Sequence, residues 1–507
     1  MHALDIPYDV WFNVAQFLPK EEIRNLYGVN RALFMIAMDE RYQSAYIRNI
    51  REEQTVKCLD RLVHPNLAYR VRSLHLRPSS LGVLLHEHRN QKPSVGWTNA
   101  LKRLTCAPGP RNGYEAVNTK SSPVEILLQI VGSLSNVTTL HLECADYADN
   151  LDWFMYAMPF VMAGWGAFGH ILQRLTLEVP VESMREVLPT ALRLDNLEEL
   201  HVKLSVAEPE TDTTDIIRTS LVPFINNHHR NLSSFSVSAI EQLDFTALLG
   251  DLVYMPRLTK FSVSQLFVSM DQTDTAGLAR FLDMHGRNLR DLNVQFYTKK
   301  ATPAKFPEQT EWFAQPFYSV VLPRIEALSL GLLDFPAWSL HGTTSYISQF
   351  RDTLSSLSIK NIKLSYEEVE SLITVVAPTP NVKMRHLTLV LRHISPQLFN
   401  ILSLKLPDLE ELSLKFDKII PREGIPVSSA DRAPAFCEEI AKHSYSKWKL
   451  ARLNLGLISA KEETKGQCRA ALATALSSVQ SFNGQTREQY VSEGSHSDDP
   501  LLLSGCS

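Results

Sequence analysis

The chain has 507 residues, 44% hydrophobic and 21% charged, an ordinary balance for a soluble folded protein and longer than one common domain. A formal charge of −4 excludes a global electrostatic pull towards nucleic acid or an acidic membrane. Six cysteines (Cys58, Cys106, Cys144, Cys437, Cys468 and Cys506) form no C-x-x-C pair, so neither a zinc knuckle nor a disulfide framework is predicted, and free thiols in a reducing compartment follow.

The first residues lack the basic-then-apolar layout of a secretion signal. Residues 6 to 38 instead predict three short helices. Pro7 suits a first turn, where its missing N–H costs nothing, and Val10, Val14, Phe17 and Leu18 follow on one helical stripe. Pro19 ends that helix and opens the next, with Glu21 and Glu22 where the helix dipole favours them and Ile23, Leu26 and Tyr27 as its apolar face. Asn30 is the expected N-cap of a third helix whose Leu33, Ile36 and Ala37 face inward. A fourth helical stretch is expected around Tyr42, Ala45, Tyr46 and Ile50. So short a segment cannot bury a self-sufficient core, which leaves apolar surface for a partner.

The order Ile6-Pro7-x-Asp9-Val10, then Val14, Phe17-Leu18, an acidic turn, Leu26 and Val29-Asn30-Arg31 resembles the F-box. The family pattern runs Leu-Pro-x-Glu-Val/Ile, a spaced Ile or Val, Phe/Tyr-Leu, an acidic pair and Val-x-Arg. Two positions depart from it: Ile6 replaces the usual Leu, and Tyr42 stands where a Trp is usual. The resemblance implies docking onto a Skp-family adaptor, and through it a cullin–RING ubiquitin ligase, by Ile6, Pro7, Val10, Val14, Leu18, Leu26 and Val29. The competing reading of these residues is a helical cap over the first repeat.

From residue 71 onward one signature, apolar-x-x-Leu-x-apolar, occurs thirteen times at intervals of 25 to 41 residues. Its copies start at Val71, Leu101, Val137, Leu172, Leu197, Leu232 and Leu258, then Leu289, Ile325, Leu354, Met384, Leu409 and Leu450. The fifth position is always His, Thr, Ser or Asn. On a strand the fourth and sixth residues point one way and the third and fifth the other. Stacked units therefore predict a parallel sheet with Leu inside and a polar ladder outside. Segments such as 221–231, 277–288 and 345–353 have helical spacing, which completes the plan of a leucine-rich repeat. The turn Asn expected three residues after the sixth position is absent from every unit. Together with the F-box-like start, the layout is similar to large fungal F-box families.

Several segments interrupt the rhythm. Residues 107–123, 207–214, 298–311 and 417–434 are rich in Pro, Gly and polar residues and are expected to be loops. Trp153 to Gln173 has no charged residue across 21 positions, long enough to span a bilayer, but Pro159 and three glycines break it. A buried or partner-covered helix and loop is expected there. Residues 459–482 predict a terminal capping helix, and the polar run from Asn483 predicts disorder.

No catalytic constellation emerges. Gly164-Trp165-Gly166-Ala167-Phe168-Gly169 has the G-x-G-x-x-G spacing, but it does not lie between a strand and a helix, as a dinucleotide loop must, and reads as a small-residue return turn. His86-Glu87-His88 and His228-His229 lack a third ligand and read as surface residues, while His75, His141 and His201 belong to the polar ladder. The third strand positions carry mixed charge, which excludes a phosphate track. They suit a protein-binding face, with Arg103, Arg174, Glu199, Lys260, Asp291, His386 and Glu411 as its contacts.

The sequence thus predicts an α/β chain: a three-helix F-box domain (1–50), a leucine-rich-repeat solenoid with a concave parallel sheet and outer helices (51–482), and a disordered tail (483–507). Its expected function is non-catalytic substrate recognition in an SCF-type ubiquitin ligase, with no cofactor, in cytoplasm or nucleus. The expected partners are the adaptor and an unknown target protein, with neither nucleic acid nor membrane. A leucine-rich-repeat scaffold unconnected to ubiquitin is the alternative.

Overall fold

Twelve of the thirteen signatures fold as strands, and each strand begins at the signature's third residue. The computed structural model describes residues 6–48, 52–78, 81–82, 123–144, 151–208, 211–239, 241–270, 273–298, 308–331, 341–378, 383–424, 428, 431–457 and 463–492. The signature at 101–106, with Arg103, lies outside them, as do His86-Glu87-His88. Two compact units divide the chain: Met1–Leu243 with Asp251–Leu258, and Asp244–Gly250 with Thr259–Ser507.

The first unit opens with helices α1 (Tyr8–Ala15), α2 (Lys20–Asn25) and α3 (Arg31–Tyr42). Asn30 caps α3 as expected, its Oδ1 accepting from Leu33 N–H at 2.8 Å. The helices share a core of Ala15, Ile23, Leu33, Ile36 and Ala37, with Trp11, Leu18 and Leu26 packed against it. The next expected helix is instead strand β1 (Ser44–Ile47): Ala45 and Ile47 point inward while Ser44 and Tyr46 point out, the two-residue period of a sheet. Then follow β2 (Ser73–Leu76), β3 (Thr139–Glu143), β4 (Arg174–Pro180), β5 (Glu199–Ser205) and β6 (Ser234–Ala239). All are parallel, in chain order.

In the second unit β7 (Lys260–Leu266), β8 (Asp291–Tyr297), β9 (Ala327–Gly331), β10 (Ser356–Lys360), β11 (His386–Ile394), β12 (Glu411–Ile419) and β13 (Arg452–Leu457) stack in the same manner. In both units third residues pair with third residues. Ser44, Ser73, Thr139, Arg174, Glu199 and Ser234 form one such row. Fourth-position residues such as Leu175, Leu200, Phe235 and Leu412 are fully buried. Helices cover that apolar face: Phe281, from the helix Ala276–His285, lies 4.5 Å from Phe261 of β7.

Within each unit, backbone and asparagine bonds stitch neighbouring repeats at the start of the strand rather than at its end. The second-position carbonyl of one repeat accepts from two successive N–H groups of the next, as Arg72 does from Thr138 (2.9 Å) and Thr139 (3.0 Å), and Glu326 from Ser355 (2.8 Å) and Ser356 (3.0 Å). Asn136 and Asn196, each just before a signature, add side-chain bonds to Tyr69 O (2.9 Å) and His170 O (2.6 Å) of the preceding repeat.

The apolar stretch from Trp153 is a helix, Leu151–Phe168, which runs through the expected return turn. Small Gly and Ala residues continue it because one face is packed: Phe160, Val161, Trp165 and Phe168 are buried, and Trp165 Nε1 donates to Val187 O at 3.0 Å. Among the described residues, no helix is long and apolar enough to cross a membrane. Three expected loops are shorter than predicted, with helices starting at Thr213, Gln309 and Arg432.

The C-terminal end also departs from expectation. After the helix Glu463–Ala475, β14 (Ser481–Phe482) joins β13 and turns back into the antiparallel β15 (Gln485–Thr486), then a helix Arg487–Ser492. The two-residue turn has Asn483 at φ 52° and Gly484 at φ 82°, the left-handed pair that a type I′ hairpin requires. Tyr490 is buried and stacks on Phe482, while Arg487 donates to the carbonyls of Leu476, Ser477 and Val479. These contacts order residues 483–492, where disorder was expected. Residues 493–507 lie outside the described residues.

A buried fourth position tolerates no charge. Leu200→Asp and Leu412→Asp are each expected to cost about 4 kcal/mol, against no more than about 1 kcal/mol for Arg174→Ala on the opposite face. Urea denaturation of the three variants measures this; equal losses would mean that the two faces are not distinguished.

Candidate functional site

Two surfaces stand out, one apolar and one polar. The apolar surface is made by the N-terminal helices. In α1, Trp11 and Ala15 turn inward at i and i+4, and Leu18 follows at i+7. The same spacing places Val10, Val14 and Phe17 on another side, in solvent, with Phe17 88% exposed. Tyr8 and Phe12 are exposed too, their rings stacked at 6.3 Å, and Tyr27 and Val29 follow in the next turn, Val29 at 61%. Of the residues to which the resemblance assigns adaptor contacts, Pro7, Val10, Val14 and Val29 are exposed, Ile6 is half-buried, and Leu18 and Leu26 pack into the small core. Single exposed apolar side chains are common, but here several of them share one helical stripe.

The polar surface is the outward face of the sheet. Zero stagger aligns its side chains in rows across the first unit. The fifth-position row runs Tyr46, His75, His141, Thr176, His201 and Ser236, and a seventh-position row beyond the signature includes Glu143, Glu178 and Lys203. The rows interlock. Glu143 accepts from His75 Nε2 and Arg77, both at 2.6 Å; one repeat on, Glu178 accepts from His141 Nε2 at 3.1 Å and Lys203 at 2.8 Å. The His75 and His141 rings are 4.1 Å apart.

Burial pushes His75 below the usual imidazole range; Glu143 opposes this, while His141 and Arg48 add to it. Burial also pushes Glu143 up, but the bonds from Arg77 and His75 prevail and hold it below the usual carboxylate range. The hydrogen bond from His141, helped by Lys203 against the opposing effect of burial, holds Glu178 down at about 2.

The third-position contacts expected from sequence fall differently. Arg174 and Glu199 pair with each other at 3.2 Å. In the second unit Glu411 is taken by Arg452 at 2.8 Å, Lys260 is exposed, His386 is half-buried, and burial raises the Asp291 carboxyl against the pull of Lys260. The second unit's fifth row is hydroxyl and amide, with Asn293 donating to Ser262 at 2.8 Å. At its strand-start edge a groove of about 900 Å³ is lined by Arg290, Arg324, Glu326, Lys383, Arg385 and Glu410 among others.

The catalytic patterns dissolve in the structure. Gly164 and Gly166 lie in the last turns of the helix Leu151–Phe168, not at the helix N-terminus where a dinucleotide loop must sit. His228 is not at the surface: it is buried, its Nδ1–H donating to Phe224 O at 2.7 Å and its Nε2 accepting from Leu194 N–H at 2.9 Å. His285 repeats the device, with Nδ1–H on Phe281 O at 2.8 Å. Both share the sequence Phe-x₃-His-x-Arg-Asn-Leu, starting at Phe224 and Phe281, which is the sequence signal of this device. Among the described residues, no group of three His, Cys, Asp or Glu side chains could hold a metal ion.

No protein-family model matches the sequence, and no curated protein matches it. Among solved structures, the chain is similar to one in the crystal structure of the Rad7 and Elc1 complex in yeast. Sequence identity is 12%, the match covers 83% of this chain and 89% of that one, and the TM-score is 0.37.

The Glu178 carboxyl lies below the ordinary unfolded value of about 4.3. It therefore contributes stability that is complete above that pH and is lost as pH falls towards about 2. Glu178→Gln is expected to destabilise most near neutrality and progressively less in acid. Urea titrations of both proteins from about pH 7 to about pH 3 would show the gap closing; a pH-independent gap would exclude an ionic origin.

Proposed function

We propose that the protein is a substrate-recognition subunit of an SCF-type ubiquitin ligase. In this reading the N-terminal helices dock a Skp-family adaptor and the repeat sheet holds a target protein. One observation carries it: five buried residues hold the helices together, while Val10, Val14, Phe17 and Val29 stand in solvent. Val10, Val14 and Val29 are among the positions to which the F-box resemblance assigns adaptor contacts. Leu18 and Leu26 then act indirectly, by fixing the shape of the docking surface.

The target is assigned to the polar face. Exposed Tyr46, with the Arg48 guanidinium 5.3 Å above its ring, is the kind of aromatic and cationic anchor that dominates protein interfaces. Catalysis is positional: the receptor raises the effective concentration of target lysines near a ubiquitin-charged enzyme, and no residue of this chain takes part in the bond-making of ubiquitin transfer. Cytoplasm or nucleus is the fitting compartment.

Val14→Glu combined with Phe17→Glu places charge on the exposed stripe without touching the core. Purified Skp-family adaptor is expected to bind the wild type and to bind this variant at least about 100-fold more weakly, with circular dichroism unchanged. Failure of the wild type to bind adaptor under conditions where a control F-box protein does would overturn the reading.

A further inference from the structure

Cys437 and Cys468 are 31 residues apart in sequence, yet the second unit brings their Sγ atoms to 3.7 Å, with the Cys437 thiol donating to Cys468. Cys437 lies in the helix Arg432–Ile440, beside the buried Phe436 and Ile440; Cys468 lies in the helix Glu463–Ala475, which packs against it. Cys437 is half-buried, whereas Cys468 is only 2% exposed. The other described cysteines, Cys58 and Cys144, belong to the first unit.

We propose that Cys437 and Cys468 form a redox modification site, a dithiol that a small-molecule disulfide of the glutathione class converts reversibly into an intrachain crosslink. The Cys437 thiol gives up its proton, and its thiolate attacks one sulfur of the small disulfide. That S–S bond breaks, a mixed disulfide forms on Cys437, and the departing small thiolate takes up a proton. Cys468 then loses its proton and attacks the Cys437 Sγ, expelling the second small thiolate, which is protonated in turn. Two protein thiols are oxidised and one small disulfide is reduced to two thiols.

Access divides the roles. A reagent in solution reaches the half-buried Cys437, while Cys468 is placed to resolve the adduct. Bonding closes the Sγ separation from 3.7 Å to ~2.05 Å. Burial raises both thiols, Cys468 to about 12, so exchange is slow at neutral pH and quickens as pH rises. The crosslink would close a loop containing β13 and fasten the last repeats together.

The test uses the full-length protein with oxidised glutathione at mildly alkaline pH, followed by thiol blocking and peptide mapping. The wild type is expected to lose two hydrogens in mass and yield a Cys437–Cys468 linked peptide. Its thermal midpoint should rise by about 5 °C and return on adding dithiothreitol. Cys468→Ser should instead retain one glutathionyl group on Cys437, and Cys437→Ser should leave Cys468 unmodified. A wild type that keeps the adduct unresolved, reacts at neither residue, or crosslinks only between molecules would overturn the proposal.

Discussion

Parallel strands that pair with no stagger force every side chain to lie beside its counterpart in the neighbouring repeat. Here third residues face third residues along the sheet of each unit. The condition is strict, because a shift of one residue would carry the whole Leu set to the solvent side. Within each unit, double hydrogen bonds at second-position carbonyls hold the starting points of successive strands in place. Core and outward face thus share one origin: leucines stack in the first, and hydroxyls, imidazoles and carboxylates stack in the second.

That constraint explains what could be read without coordinates. A signature repeating with a fixed polar fifth position reports the alternation directly, and twelve strands began where the pattern placed them. The α3 cap and inward residues were equally legible, because Asn30 and the spacing of Leu33, Ile36 and Ala37 admit one helical arrangement. Strand β1 was missed because four residues are too few for a period, and Ala45 and Tyr46 fit a helix as well as a strand. The Asn483-Gly484 turn had a strong local signal that was masked by the polar composition around it.

The two candidate surfaces were legible in part. A six-residue signature ends one step before the seventh row, so Glu143, Glu178 and Lys203 went unnoticed although they organise the polar face of the first unit. Third-position charges were visible, but not that Arg174 and Glu199 neutralise each other. On α1 the stripe Val10, Val14, Phe17 and Leu18 was legible, but not that it divides, with Leu18 packed against the small core. Trp11 and Ala15 take the interior, and the valines are left outside.

The hairpin after β13 has a consequence of a different kind. A stack of parallel strands carries the donors and acceptors of its last member, and any extended chain, including a second copy, can add to that edge and propagate into a fibre. Here β14 is two residues long. Beyond it the Asn483 side chain both accepts from Leu455 N–H (2.6 Å) and donates to Leu455 O (3.2 Å), imitating a peptide group. The chain then doubles back, so the next strand offered runs in the wrong direction for another repeat. A surface built by repetition needs a rule for stopping, and a single Asn-Gly turn supplies it.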